Sequence, residues 1–230
     1  ENKAKPLFVY LAHSLPHVPL FTSSSFHGVS QRGLYGDVIE EIDWSVGQVL
    51  KTLKEEKLAD NTLVFFTSDN GPWLIFDTHG GSAGLLRDGK GSTWEGGMRE
   101  PTVMWWPGHI PAGSVCQEIA GTIDILPTIV AITGASPPAK KLDGHNILPL
   151  LEGHADAKSP HKAYFYQSKA VRIGNWKLLP GGRRSKGPQL YDLSKDIGEK
   201  NNVAADNPDV VKMLVDALEA FKSEMKADGR

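Results

Sequence analysis

Asp69 and Asn70 follow a short apolar run and lie in a turn rich in Ser, Gly and Pro. The run, residues 62–67, contains β-branched and aromatic residues and predicts a buried strand of a parallel sheet. Ligands of open α/β sheets bind beyond the carboxyl ends of strands, and Mg²⁺ and Ca²⁺ prefer carboxylate and amide oxygens. Asp69 and Asn70 are therefore candidate metal ligands. The alternative is that they only build the turn, because Asx residues favour turns for backbone reasons.

Lys90 stands between two glycines in a long glycine-rich segment, residues 73–97. Loops of this length without their own secondary structure are uncommon in compact domains and are usually functional. Glycines let a backbone come close to a ligand, and a lysine there suits an anionic group such as sulfate or phosphate. The alternative is a flexible linker with an incidental lysine, although linkers seldom contain Trp, Met, Arg and Glu packed around glycines.

His13 and His17 lie in a proline-punctuated loop that follows another apolar run, residues 7–11. This run also predicts a buried strand. Most loop histidines are simply solvated. His17 stands between Pro16 and Pro19, which restrict the loop around it, and it is therefore a candidate site residue.

Residues 34–57 connect the two predicted strands and carry apolar side chains at helical spacing. Asp43 and Trp44 lie inside this helix and are interpreted as structural. Strand, helix and strand in this order form a right-handed crossover unit. The two strands are therefore predicted to lie parallel in one sheet, with His17 and Asp69 at the same edge.

Downstream of the glycine-rich segment, the pattern predicts one more strand and one more helix. Residues 101–106 have the composition of a strand. Asp124 is predicted to cap a helix over residues 125–132, with Gly134 just beyond its end. Three further histidines are expected at the surface: His109, His145 and His154.

The chain changes character near residue 157, where short strands begin to alternate with polar turns. A small antiparallel sheet is predicted there, covered by a helix over residues 209–226. The basic stretch at residues 181–187 is predicted to form a hairpin tip, which either contacts an anionic polymer or is simply an exposed loop. We expect an α/β domain over residues 1–156 and a small α+β subdomain over residues 157–230.

The bulk composition gives no sign of a nucleic-acid-binding or membrane-spanning protein. The chain has 230 residues, a formal net charge of −2, 40% hydrophobic residues and 23% charged residues. No apolar run approaches the roughly 18 residues that a membrane span needs. Cys116 is the only cysteine, so no internal disulfide can form. Because a predicted strand begins within a few residues of a terminus without Met, we expect that the chain has been cut from something longer.

Several motifs resemble the type I sulfatases, in the branch of arylsulfatase A and N-acetylgalactosamine-6-sulfatase. The block from residue 84 to residue 101, which contains Lys90, is the most specific of them. The other matching motifs follow in family order: Ser68-Asp69-Asn70-Gly71, Trp106-Pro107-Gly108-His109-Ile110, Asp124-Ile125-Leu126-Pro127-Thr128, Leu142-Asp143-Gly144 and Leu190-Tyr191-Asp192-Leu193. The resemblance covers nearly the whole chain.

The resemblance implies a fold and a set of residue roles. The fold is an alkaline-phosphatase-like α/β sheet with flanking helices, here partial, plus a small C-terminal antiparallel sheet with a covering helix. Asp69 and Asn70 take the role of ligands to Ca²⁺, or sometimes Mg²⁺. Lys90 contacts the sulfate group, and His17 matches a histidine that contacts the sulfate near its leaving oxygen. His13 matches a neighbour of less certain role.

The chain departs from the family in one respect that matters for catalysis. The family's nucleophile is a formylglycine made from the Cys of a Cys-x-Pro-x-Arg motif, and this sequence contains no such motif. Cys116 lies in a different context and is interpreted as structural. The nucleophile and the remaining metal ligands belong to an N-terminal half that this chain lacks. We therefore expect the C-terminal portion of a sulfatase, inactive alone.

The resemblance also implies partners and a compartment. The missing N-terminal half is one expected partner, and a sulfated glycan or aryl sulfate is the expected substrate. Family members are typically periplasmic, secreted or lysosomal. Two alternatives stay open: a phosphodiesterase or phosphonate hydrolase of the same superfamily, and a non-catalytic remnant that binds an anionic glycan.

Overall fold

The computed structural model describes residues 5–181 and 187–229. Within these ranges the chain is an α/β protein with two antiparallel sheets. The helices are α1 (Gly33–Glu55), α2 (Glu95–Met98), α3 (Ile125–Thr133), α4 (Leu148–Leu151) and α5 (Pro208–Ala227). The strands are β1 (Val64–Thr67), β2 (Thr102–Trp105), β3 (Tyr164–Tyr166), β4 (Ala170–Ile173), β5 (Trp176–Leu179) and β6 (Gln189–Asp192). None of the described helices is long and apolar enough to cross a bilayer.

The first sheet consists of β1 and β2, which pair antiparallel with Val64 opposite Trp105 and Thr67 opposite Thr102. The prediction that residues 7–11 form a buried strand parallel to β1 was wrong. These residues have no strand pairing, and their side chains are exposed, Leu7 by 75%. A strand needs a neighbour to complete its backbone hydrogen bonds, and among the described residues no segment pairs with residues 7–11 in a sheet.

Helix α1 forms where the apolar spacing predicts it and connects the N-terminal loop to β1. The buried carboxylate of Asp37 accepts hydrogen bonds from the backbone amides of Gly28 at 2.8 Å and Ser30 at 2.7 Å. Trp44 packs against Phe26, with ring centroids 5.8 Å apart, but stays 53% exposed. The loop before α1 is thus fixed to the helix by the carboxylate of Asp37.

Asp124 precedes helix α3, as predicted, but its side chain does not cap the helix. Its fully buried carboxylate accepts hydrogen bonds from the amides of Gly121 and His145, at 2.8 and 2.7 Å. The ring Nε2 of His161 lies 2.8 Å from both carboxylate oxygens. The expected cap is therefore a cross-link between three loops, because the carboxylate contacts the amides of Gly121 and His145 and the ring of His161. Gly134 ends α3 in the left-handed conformation, as predicted.

The C-terminal part folds as a four-stranded antiparallel sheet in the order β3-β4-β5-β6, with α5 packed against β4 and β5. Its core is a cluster of fully buried side chains: Val171, Leu178, Leu190, Leu214 and Leu218. Each such side chain stabilises the fold by about 1.5–3 kcal/mol relative to an exposed one. The predicted small sheet and covering helix are both present. Residues 182–186 of the predicted basic hairpin tip lie outside the described residues.

Candidate active site

The turn after β1 carries the two predicted metal ligands. The Ser68 hydroxyl donates to the carbonyl of Asn70 at 3.0 Å, which closes the turn locally. Asp69 is exposed and Asn70 is half-buried. The turn therefore presents an accessible carboxylate beside an amide, beyond the carboxyl end of a strand.

The glycine-rich block, residues 84–101, packs directly onto this turn through backbone contacts. The amide of Lys90 donates to the carbonyl of Pro72 at 2.9 Å, and the amide of Gly71 donates to the carbonyl of Gly97 at 3.3 Å. A Cβ added at Gly71 would lie 1.8 Å from the carbonyl oxygen of Gly96. Only glycine allows this approach, so the glycines bring the backbone of Lys90 against Pro72, two residues after Asn70.

His17 and Lys90 meet at the indole of Trp73. The His17 and Trp73 ring centroids are 5.4 Å apart, and the Lys90 ammonium lies 4.8 Å from the centroid of the same indole. The sequence does not single out Trp73 on its own. Its position directly after the turn that carries Asp69 and Asn70 is the signal that would have found it.

The His17 ring has one nitrogen committed to the backbone. Its Nδ1 lies 2.7 Å from the carbonyl oxygen of Val18. A carbonyl oxygen only accepts, so Nδ1 carries the proton and donates this hydrogen bond. Nε2 is then the nitrogen that faces away from the backbone and can exchange a proton with a ligand. His13 is exposed in the same loop.

Glu100 adds a second carboxylate close to Asp69. Burial, together with the nearby negative charge of Asp69, raises the pKa of Glu100 to about 7. The buried oxygen Oε1 of Glu100 has no hydrogen-bond partner within residues 5–181 and 187–229. An uncompensated negative environment with oxygen donors fits a hard divalent cation, which would relieve the repulsion between the two carboxylates.

The described residues supply only part of a metal site. No group of three or more His, Cys, Asp or Glu side chains in these ranges could hold a metal ion. Asp69 and Asn70 provide two oxygen donors, whereas Ca²⁺ takes six to eight and Mg²⁺ six. Further ligands would be water, backbone oxygens or groups outside the described residues.

A buried ionic cluster ties the glycine-rich block to the C-terminal sheet. Lys177 of β5 lies with its ammonium 2.9 Å from Oε1 of Glu95 and 2.8 Å from Oε1 of Glu199. All three side chains are at most 1% exposed. Tyr166 donates its hydroxyl to Glu95 at 2.7 Å, and Glu199 accepts the Glu95 amide at 2.7 Å. The Lys177 ammonium is therefore the ionic partner of both carboxylates.

The two carboxylates of the cluster differ in their pKa. Burial alone would raise the pKa of Glu95, but Lys177, Tyr166 and Arg172 outweigh it and hold that pKa below its ordinary value. Burial raises the pKa of Glu199, which Lys177 only partly offsets. Burial and the neighbouring Glu95 also raise the pKa of Tyr166. Glu95 is thus the carboxylate that the cluster holds most firmly as an anion.

Arg87 forms a second connection between the same two regions. Its guanidinium donates to the carbonyl of Glu199 at 2.6 Å and stacks 3.5 Å from the ring centroid of Trp94. Trp94 in turn contacts Tyr191 of β6 edge-on, at 5.6 Å between centroids. The block that carries Lys90 is consequently anchored on both sides, to the turn after β1 and to the C-terminal sheet. The sequence analysis predicted neither the contacts of Glu95 nor those of Arg87.

Two protein families match the sequence. The family described as "Sulfatase" matches residues 1–135, and the family described as "N-sulphoglucosamine sulphohydrolase, C-terminal" matches residues 88–224. Together the two matches include all the candidate site residues and the buried ionic cluster.

Known proteins resemble the chain along most of its length. Bovine arylsulfatase A is 39% identical, over 96% of this chain and 48% of its own length. Human N-acetylgalactosamine-6-sulfatase is 48% identical, over 87% of this chain and 44% of its own length. The structure of Ps i-CgsB in complex with k-i-k-neocarrahexaose is 32% identical, with a TM-score of 0.82, over 96% of this chain and 51% of that one. The chain thus spans about half the length of these relatives.

Proposed function

The chain belongs to the sulfatase family, and we propose that it is the C-terminal part of a sulfuric ester hydrolase. In this proposal the full-length protein cleaves sulfate esters, and the 230 residues alone are inactive. The observation that carries the proposal is the meeting of Lys90 and His17 at one indole, beside the turn of Asp69 and Asn70. A cation and an imidazole so placed suit an anionic ester.

Lys90 and His17 have distinct roles in this proposal. Sulfate-ester cleavage builds negative charge on the non-bridging oxygens and on the departing oxygen. The Lys90 ammonium binds the non-bridging oxygens and stabilises their charge in the transition state. The exposed Nε2 of His17 binds near the departing oxygen and delivers a proton to it when the ring is charged.

Asp69 and Asn70 would hold the family's divalent cation, Ca²⁺ or Mg²⁺, with ligands from the missing half. A bound cation supplies Lewis-acid stabilisation of the sulfate oxygens. The half-buried Glu100 supports this role, because burial and the Asp69 carboxylate raise its pKa to about 7, and a cation bound between the two carboxylates would favour the ionised form. The chemistry of the nucleophile, a formylglycine in the family, would come from the N-terminal half. Cys116 is exposed and does not lie in a Cys-x-Pro-x-Arg motif.

A sulfated glycan is the proposed substrate class, with aryl sulfates as small surrogates. Two of the similar proteins have carbohydrates in their names, N-acetylgalactosamine-6-sulfatase and the complex with k-i-k-neocarrahexaose. The proposed compartment is periplasmic, secreted or lysosomal. The domain division at residues 156 and 157 also stays a proposal, in which the small C-terminal sheet acts as the support of the Lys90 block.

The proposal is tested by the full-length protein and its Lys90→Ala variant. We expect the full-length protein to hydrolyse an aryl sulfate, the variant to lose about 100-fold or more in kcat, and the chain of 230 residues to be inactive. Phosphate-diester or phosphonate turnover above sulfate turnover would favour a phosphoryl hydrolase instead. Robust aryl-sulfate turnover by the chain alone would contradict the proposed division of the active site. Cooperative melting of a monomeric, inactive chain that binds an anionic glycan would favour the non-catalytic remnant.

A further inference from the structure

We propose that Trp73 is a positioning residue, which fixes the Lys90 ammonium and the His17 ring on one aromatic surface. This inference rests on the proposed function of the same site. The indole centroid lies 4.8 Å from the Lys90 ammonium and 5.4 Å from the His17 ring centroid. The family resemblance implies no role for this tryptophan.

The contact between Lys90 and Trp73 is a cation–π interaction. A cation within about 6 Å of an indole centroid is attracted by the negative face of the ring, and Trp is the strongest partner among the aromatic residues. No carboxylate in the described ranges forms an ion pair with Lys90. A carboxylate partner would neutralise the ammonium and compete with a sulfate. The indole holds the ammonium without neutralising it, so Lys90 stays in place and available to an anion.

Trp73 is itself held by the turn that follows it. The amide of Phe76 donates to the Trp73 carbonyl at 3.1 Å, and the Phe76 ring meets the indole edge-on at 4.7 Å. A Cβ at Gly80 would lie 2.2 Å from the same carbonyl, so the backbone is closely packed there. The indole is therefore a fixed reference against which a long, flexible lysine side chain can be ordered.

The test replaces Trp73 in the full-length protein with residues whose aromatic face attracts a cation less strongly, or not at all. Trp73→Phe keeps a weaker aromatic face, and Trp73→Leu keeps apolar volume without one. Fluorinated tryptophans placed at position 73 weaken the face stepwise at nearly constant shape. We expect kcat for aryl-sulfate hydrolysis to fall stepwise along the fluorinated series and by about threefold to tenfold in Trp73→Leu, with Trp73→Phe between. KM should change less than kcat, because the ordered cation matters most when charge develops.

Trp105 provides a matched control. The Lys54 ammonium lies 5.8 Å from its ring centroid, a similar pair on another surface. The same fluorinated series at position 105 should leave kcat unchanged. An independent readout uses ¹³C-methylated lysines, assigned with Lys90→Arg: the Lys90 methyl signal should show an upfield ring-current shift that Trp73→Leu removes.

The outcomes separate this inference from the proposed function. If Lys90→Ala lowers sulfate hydrolysis while the fluorinated series at position 73 leaves kcat unchanged, the positioning role is wrong and the sulfatase proposal stands. If the Lys90 signal lacks the ring-current shift, the contact itself is absent and the inference fails. If Lys90→Ala does not affect hydrolysis of any sulfate ester, the proposed function fails, whatever the ring-current shift.

Discussion

Replacing Lys177 with methionine removes the cation that lies between the buried carboxylates of Glu95 and Glu199. The lysine ammonium lies 2.9 Å from Glu95 and 2.8 Å from Glu199, and all three side chains are at most 1% exposed. Breaking a buried ion pair on one side typically costs about 3–5 kcal/mol, because it leaves an uncompensated charge. Glu199 loses its cation, whereas Glu95 keeps Arg172 at 3.5 Å and the Tyr166 hydroxyl, so we expect the cost of Lys177→Met to fall within that range.

The stability that the variant loses relative to wild type should also depend on pH. With the lysine gone, repulsion and burial raise the folded-state pKa of one carboxylate above its unfolded value. A group whose pKa is raised on folding stabilises the protein below the unfolded pKa, and this stability is lost as pH rises through the folded pKa. The free energy of unfolding of Lys177→Met should therefore be closer to that of wild type at pH 5 than at pH 8.

Urea unfolding of the full-length protein at both pH values measures this prediction. Lys212→Met is the matched control, because Lys212 forms an exposed pair with Asp216 and should change the free energy of unfolding by about 0.5 kcal/mol or less. The double variant Lys177→Met with Glu199→Gln should recover part of the loss. A loss below about 1 kcal/mol in Lys177→Met at pH 8 would refute the view that the lysine neutralises both carboxylates.

Three further predictions follow from the described contacts. Gly71→Ala should abolish sulfate-ester hydrolysis by the full-length protein, because its Cβ would lie 1.8 Å from a backbone carbonyl oxygen. The control is Gly47→Ala in α1, whose Cβ meets no atom within 4 Å and which should raise the free energy of unfolding in urea by about 0.5–1 kcal/mol. Amides of Ser30 and Gly28 lower the pKa of Asp37, so its stabilisation is present above the ordinary Asp pKa and is lost as pH falls. The melting-temperature gap between wild type and Asp37→Asn should therefore shrink on acidification; a gap that widens would contradict this sign. Leu218→Ala, in the fully buried C-terminal core, should cost about 2–5 kcal/mol in urea unfolding, and a loss under 1 kcal/mol would show that the core repacks.

Local sequence signals predicted the elements that are defined by their own residues. The helices α1 and α5 follow from hydrophobic periodicity, which needs no knowledge of distant partners. The apolar run over residues 62–67 likewise forms a strand, over Val64–Thr67, but the prediction that this strand is buried in a parallel sheet was wrong, because it is half-buried and pairs antiparallel with β2. The left-handed end of α3 at Gly134 follows likewise from residue type. Such features are fixed within a few residues of sequence.

The failures of prediction concern contacts between distant segments. Residues 7–11 have the composition of a strand, but composition cannot supply a neighbour for hydrogen bonding. Asp124 has the residue type of a helix cap, yet His161, 37 positions later, determines what its carboxylate binds. The role of Trp73 likewise depends on Lys90 and His17 reaching the same ring from separate loops. The ligand roles of Asp69 and Asn70 stay predictions that only a metal-bound structure or a titration will test.

The close backbone packing between the turn after β1 and the glycine-rich block restricts how this protein can be diversified. A Cβ at Gly71 or Gly89 would lie 1.8 or 2.2 Å from a carbonyl oxygen of the opposing segment, and a Cβ at Gly96 or Gly97 would lie 2.2 or 2.5 Å from a carbonyl oxygen within the glycine-rich block itself. Libraries that aim at new specificity should therefore keep these codons and the length of both segments fixed, because an insertion would misalign every later contact. Variation is better placed at exposed side chains of the same loops, such as Ile75 and Leu85, which are 77% and 80% exposed. Substitutions in the two segments should therefore be designed together, because their backbones are in direct contact.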